Sequence, residues 1–197
     1  MTIPTFIRLA CAGGLTLALA ACMDVAMTVD VTSQTDAEAT MVTTMERDMY
    51  DLMMAQATED DDAFCEGGEL VETADSVQCT VVESGPFAEL DLQAEDGEKP
   101  VIEAIGGGQV RVAFPTGDLA ESLAEDTGAG EDAQMQAMIA SIFEGRTITM
   151  TVSGGTIVDT NMEIAADGLS ASYEIPFTDL FGSDLDLPPE LYAVVQK

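Results

Sequence analysis

Cys22 is the residue whose chemistry is easiest to name. The segment Leu19-Ala20-Ala21-Cys22 closes an apolar run from Leu9 to Ala21, and Arg8 and the amino terminus supply a basic start. A permanent bilayer helix needs about 20 apolar residues, so the shorter run reads as a signal peptide over residues 1–21. Its last four residues look like the bacterial lipobox. There the cysteine thiol takes a diacylglycerol, and cleavage leaves that cysteine as the first mature residue. Further acylation of the new amino terminus would anchor the chain firmly, since each buried methylene contributes about 0.8 kcal/mol. Met23 follows in place of the aspartate that favours inner-membrane retention, so the outer membrane facing the periplasm is the expected address, with the inner membrane as the alternative.

The remaining cysteines suggest different chemistry. Cys11 leaves with the signal, which pairs Cys65 with Cys79 as a disulfide in an oxidising compartment. Closing a loop of about 15 residues contributes about 3 kcal/mol. A redox role does not fit: the spacing is far from C-x-x-C, and no neighbouring base acidifies either thiol. The run Glu59-Asp60-Asp61-Asp62 offers hard oxygens for calcium, but it lacks EF-hand spacing and reads as a solvated charge run. Met41, Met45, Met49 and Met53 recur every four residues, a spacing that could suggest a Cu(I) thioether site. An apolar stripe on a core-facing helix accounts for Met45, Met49 and Met53 more simply. No metal or cofactor site is expected.

Composition removes most enzyme classes. The chain has 197 residues, 37 acidic and 6 basic side chains, and no histidine. Histidine-based triads, proton relays and metal sites are thereby excluded. The motif G-x-S-x-G, phosphate loops and a serine–lysine pair are absent. Stacking platforms for sugars are scarce, with six of the seven phenylalanines and three tyrosines left after the signal. A non-enzymatic protein is expected. Losing Arg8 moves the formal charge from -31 to -32, which disfavours nucleic acid and anionic lipid headgroups as partners. At 47% hydrophobic residues, the chain nevertheless has enough apolar mass for a core.

Patterning then gives the elements that must hold these groups. Met23, Val25, Met27, Val29 and Val31 alternate with polar or small residues, a half-buried strand starting directly after Cys22. Ser33 to Asp36 forms a turn, and Ala37 to Thr43 a returning strand. Thr43 and Glu46 have capping-box spacing, which predicts a helix with Met45, Met49, Leu52 and Met53 on one face. Strands are expected at Val77 to Glu83, Val101 to Ile105 and Gln109 to Phe114. Further strands follow at Thr147 to Val152, Thr156 to Val158, Met162 to Ala165, Leu169 to Ile175 and Leu191 to Val195. Helices are expected at Asp118 to Glu125 and at Glu131 to Phe143, with a helical turn at Phe177 to Phe181. The expected class is α+β: an antiparallel sheet built from hairpins, with two or three helices packed on one side. Residues 22–197 read as a single domain, with 116–145 as a helical insertion.

The ends of the mature chain resemble the LppM-type bacterial lipoprotein family. The carrying residues are Cys22-Met23-Asp24-Val25-Ala26-Met27-Thr28-Val29 with the turn, return strand and helix that follow. At the far end they are Thr149-Met150-Thr151-Val152-Ser153-Gly154-Gly155-Thr156-Ile157-Val158-Asp159-Thr160-Asn161 and the short strand Ser170 to Ile175. One departure stands out, because many relatives end in a transmembrane helix and Leu191 to Lys197 is too short to be one. The resemblance implies an α+β domain with an apolar cavity, and lipid or glycolipid binding at the cell envelope. It transfers no ligand-binding residues. Three functions are therefore weighed: a lipid-anchored protein with a membrane-proximal domain binding a lipid or other apolar ligand, an adaptor binding another envelope protein, and an acidic cation-binding module.

Overall fold

The computed structural model of the chain describes residues 23–56, 64–90, 99–117, 119, 143–180 and 187–197. Strand β1 (Met23–Val31) forms a hairpin with β2 (Asp36–Glu46), in register from Met23 opposite Met45 to Val31 opposite Ala37. The turn is held by its own side chains. The Ser33 hydroxyl donates to Asp36 Oδ2 at 2.7 Å, and Thr35 Oγ1 donates to the same oxygen at 2.6 Å. Helix α1 (Arg47–Gln56), β3 (Glu69–Glu72) and β4 (Ser76–Pro86) follow. A 3-10 turn (Phe87–Glu89) then leads toward the hairpin β5 (Val101–Gly106) and β6 (Gln109–Pro115). The last part of the chain contains β7 (Thr147–Ser153), β8 (Thr156–Thr160), β9 (Glu163–Ile164), β10 (Ser170–Pro176), α2 (Phe177–Leu180) and β11 (Glu190–Gln196).

These strands make two sheets. The larger runs β3-β4-β2-β1-β7-β10-β9, and the smaller β5-β6-β11-β8. Val29 and Val31 of β1, Val152 of β7, Val110, Val112 and Phe114 of β6, and Leu191 and Val195 of β11 belong to one buried cluster. The core thus lies between the sheets, and alternation puts the hydroxyls of Thr28, Thr40, Thr149 and Thr151 on the opposite face of the larger one. Gly154-Gly155 carries the chain from β7 in one sheet to β8 in the other. A Cβ on Gly154, whose φ is +102°, would sit 2.3 Å from the Val31 carbonyl oxygen. One on Gly155 would sit 2.5 Å from that of Gln196. The Lys197 ammonium ties this end together, donating to the carbonyls of Val31 at 2.7 Å and Gly154 at 2.5 Å.

The expected α+β class is corrected: the fold is mostly β. Three departures account for it. β2 runs through Thr43 and Glu46, so no capping box forms there and the helix starts at Arg47. Alternating β-branched side chains paired along the whole of β1 and β4 outweigh a local helix signal. Second, β3 adds an unforeseen strand, and two packed sheets replace the single sheet with helices on one side. Third, β1 and β7 pair parallel from Val25 opposite Ile148 to Asp30 opposite Ser153, which hairpins alone cannot produce. The remaining expected strands are present, and α2 matches the expected turn as far as Leu180. The signal peptide 1–21, Cys22, the acidic run at Glu59 to Asp62 and most of the helical insertion 116–145 lie outside the described residues.

Candidate functional site

The inner face of the larger sheet is fully buried at one end and partly buried in its middle, where Met27, Ile148, Met150 and Tyr173 pack against the buried cluster. At the buried end Val29, Ala39, Val152 and Ala171 lie side by side across four strands, none more than 2% exposed. The next row on the same face is Val81, Met41, Met27, Met150 and Tyr173, from β4 through β2, β1 and β7 to β10. All five are half-buried. Thr43, Val25 and Ile148 continue the floor toward Met23, also half-buried. Burial is complete again at both flanks. On one side α1 lies against β2 and β4, where Met45 and Val77 are covered. On the other, Phe143 stacks on Phe177 with ring centroids 4.9 Å apart, beside buried Ile175 and Leu180. The result is an apolar floor with three adjacent methionines between two packed shoulders. Flexible thioethers suit a surface that adapts to varied apolar shapes.

Charge gathers at the Met23 end, on the reverse face and its edge. Asp24 Oδ1 accepts from the Thr147 backbone N–H at 3.0 Å, fixing where β7 starts along β1. Arg146 bridges Asp24, at 3.3 Å, and Glu46. Burial works against the Arg146 charge, but bonds to Glu46 and Asp24 outweigh it and hold the guanidinium above its usual range. Arg47 is raised too, first by its bond to Glu72 and then by Asp51, 3.0 Å away. On the outer face of the smaller sheet Arg111 pairs with Glu190 at 2.5 Å, and its guanidinium sits 4.8 Å from the Tyr192 ring centre. These scarce cations thus join elements: Arg146 and Arg111 link strands, and Arg47 links α1 to β3.

The structure places the expected site residues as follows. Cys65 and Cys79 form the disulfide. It fits against Gly68, where a Cβ would meet both sulfurs within 3.0 Å. Cys22 lies beyond the described residues, and Met23, its neighbour, opens β1. The four-residue methionine series does not share a face: Met41 and Met45 belong to β2, and Met49 and Met53 to α1. Among the described residues, no group of three or more His, Cys, Asp or Glu is placed to hold a metal. None of the described helices is long and apolar enough to cross a membrane.

One grouping, the methionine row, and one role, that of Asn161, escaped the sequence reading. The Met41–Met27 pair was implicit in the hairpin, because both residues lie equally far from its turn. Met150 joins them only through the parallel pairing, which local patterning does not signal. Asn161 acts as an extra strand residue: its Oδ1 accepts from the Tyr192 N–H at 2.8 Å, and its Nδ2 donates to the Glu190 carbonyl at 2.9 Å.

No protein-family model matches the chain, and no curated protein matches it in sequence. Among solved structures, it is similar to the folded domain of LppM from Mycobacterium tuberculosis, determined by NMR. The TM-score is 0.50 at 11% identity, over 89% of this chain and 90% of that one. The likeness is one of fold, remote in sequence and extending over nearly the whole of both chains.

Proposed function

We propose that this chain is a lipid-anchored protein of the bacterial envelope, acylated at Cys22, whose β-rich domain holds a lipid or other apolar ligand close to the membrane. The carrying observation is the half-buried floor of Met27, Met41, Val25, Ile148 and Met150 between two fully packed shoulders. The fold likeness to the LppM domain supports an envelope lipoprotein in general. The start of β1 at Met23 supports a domain seated against the bilayer surface. The role is one of holding, not of catalysis, at the outer membrane facing the periplasm.

Two measurements test this reading. Radiolabelled fatty acid should enter the wild-type protein in growing cells and not Cys22→Ser; equal labelling would remove the anchor. Native mass spectrometry of the mature chain, secreted as Cys22→Ser and purified without detergent, should show a co-purifying apolar mass. A consistently empty protein would remove the ligand.

The competing reading is an adaptor for another envelope protein, favoured by the formal charge of -31, which suits a basic partner surface. Crosslinking in intact cells followed by pull-down separates the two: a stoichiometric protein partner supports the adaptor, and lipid alone supports the holder.

A further inference from the structure

The row across the floor contains three thioether sulfurs on three neighbouring strands. Met41 stands directly opposite Met27 in the antiparallel β1–β2 pair, and Met27 stands beside Met150 in the parallel β1–β7 pair. Strands in a sheet run about 4.8 Å apart, and a methionine side chain has three rotatable bonds. Three sulfurs so placed can close on one ion above Met27. We propose that Met27, Met41 and Met150 form a binding site for a soft monovalent cation, Cu(I) in particular.

Three observations carry this assignment. Thioethers are soft donors that select Cu(I) over hard cations, and none of the five residues in the row carries a charge that would favour calcium or magnesium. All three methionines are partly buried, Met27 and Met150 packed against the buried cluster, whereas the row above is sealed by Val29, Ala39 and Val152. Finally, neutral ligands leave the ion's charge uncompensated locally, and a chain with 37 acidic and 6 basic side chains supplies an attractive field for any cation. The trio differs from the four-residue series in sequence, which the fold divides between β2 and α1.

The site shares the floor of the proposed apolar ligand but does not depend on that ligand's existence. The test is an anaerobic titration of the mature Cys22→Ser chain, disulfide intact and free thiol removed, with Cu(I) supplied as its acetonitrile complex, acetonitrile serving as the weak competitor and bound metal being counted by native mass spectrometry. Wild type should withdraw one equivalent of Cu(I). Met27→Leu, Met41→Leu and Met150→Leu should each weaken binding by about tenfold or more, while Met54→Leu on the exposed part of α1 leaves it unchanged. Leucine keeps the volume and apolarity of each position. Native mass spectrometry of the same variants should therefore show any apolar ligand retained, which separates failure of the metal site from failure of the ligand reading. If wild type withdraws no Cu(I), the proposal fails, whatever the variants do. It fails equally if Met54→Leu weakens binding as much as the row variants do.

Discussion

Asp36 shows how a single carboxylate earns its place on the surface of this acidic chain. The Thr35 hydroxyl first, and that of Ser33 second, hold its carboxyl below the usual range of about 3.9. A folded-state value below the unfolded one means the group stabilises the fold fully above the unfolded range. That contribution is lost as pH falls through the lower folded value. Asp36→Asn should therefore lower stability at neutral pH and flatten the acid limb of a melting curve recorded between about pH 5 and pH 2. An unchanged acid limb would show that the turn does not use the charge. Gly154 is held by steric demand instead. Gly154→Ala should cost about 2–4 kcal/mol in denaturant melts, because a Cβ there meets the Val31 backbone at a positive φ. Its neighbourhood was visible in sequence as Gly154-Gly155 between two strands, but the turn's passage between sheets was not. That depends on Val31 and Gln196, which are remote in sequence.

At the scale of elements, alternation proved the most readable signal. Both arms of the first hairpin, the Gly106-Gly107-Gly108 hairpin and nearly all of the last third follow period-two patterning with glycine or polar breaks, and each strand expected there is present. The border between β2 and α1 failed for a physical reason. Thr43, Thr44 and Met45 fit either a first helical turn or a pleated strand, and the choice was made by β1 and β4, with Met45 sealed opposite Met23 and Val77. β3 was missed because four exposed residues carry no burial pattern; its place beside β4 lies within the loop that the Cys65–Cys79 bridge closes. That loop makes the disulfide an element-level constraint. Replacing both cysteines, Cys65→Ala with Cys79→Ala, should remove about 3 kcal/mol of stability in urea, with β3 and α1 gaining hydrogen exchange before the central strands. A loss confined to a few tenths of a kcal/mol would mean the unfolded chain already holds that loop compact.

The whole molecule combines an apolar interior with a surface at a formal charge of -31. Charge of one sign repels itself, so the melting temperature should rise between about 10 mM and about 0.1 M salt, as the screening length contracts from about 30 Å to about 10 Å. A flat response would mean that the carboxylates are spaced widely enough on the surface for their mutual repulsion to cost little. Composition and alternation made the core legible. The two-sheet architecture was not, because it rests on the passage from β7 to β8 at Gly154-Gly155 and on the pairing of β11 with β6 and β8, partners remote in sequence. The larger sheet rests likewise on the parallel β1–β7 contact. The candidate floor was legible only on its β1–β2 side for the same reason. The floor itself is tested most directly by adding an uncharged fluorescent naphthylamine probe to the delipidated mature Cys22→Ser chain, with and without Met27→Gln and Met150→Gln together. These changes keep volume and add no charge. Saturable binding to wild type that weakens by about tenfold or more in the double variant is the expected result. Binding that never saturates, or equal affinity for both proteins, would contradict the account.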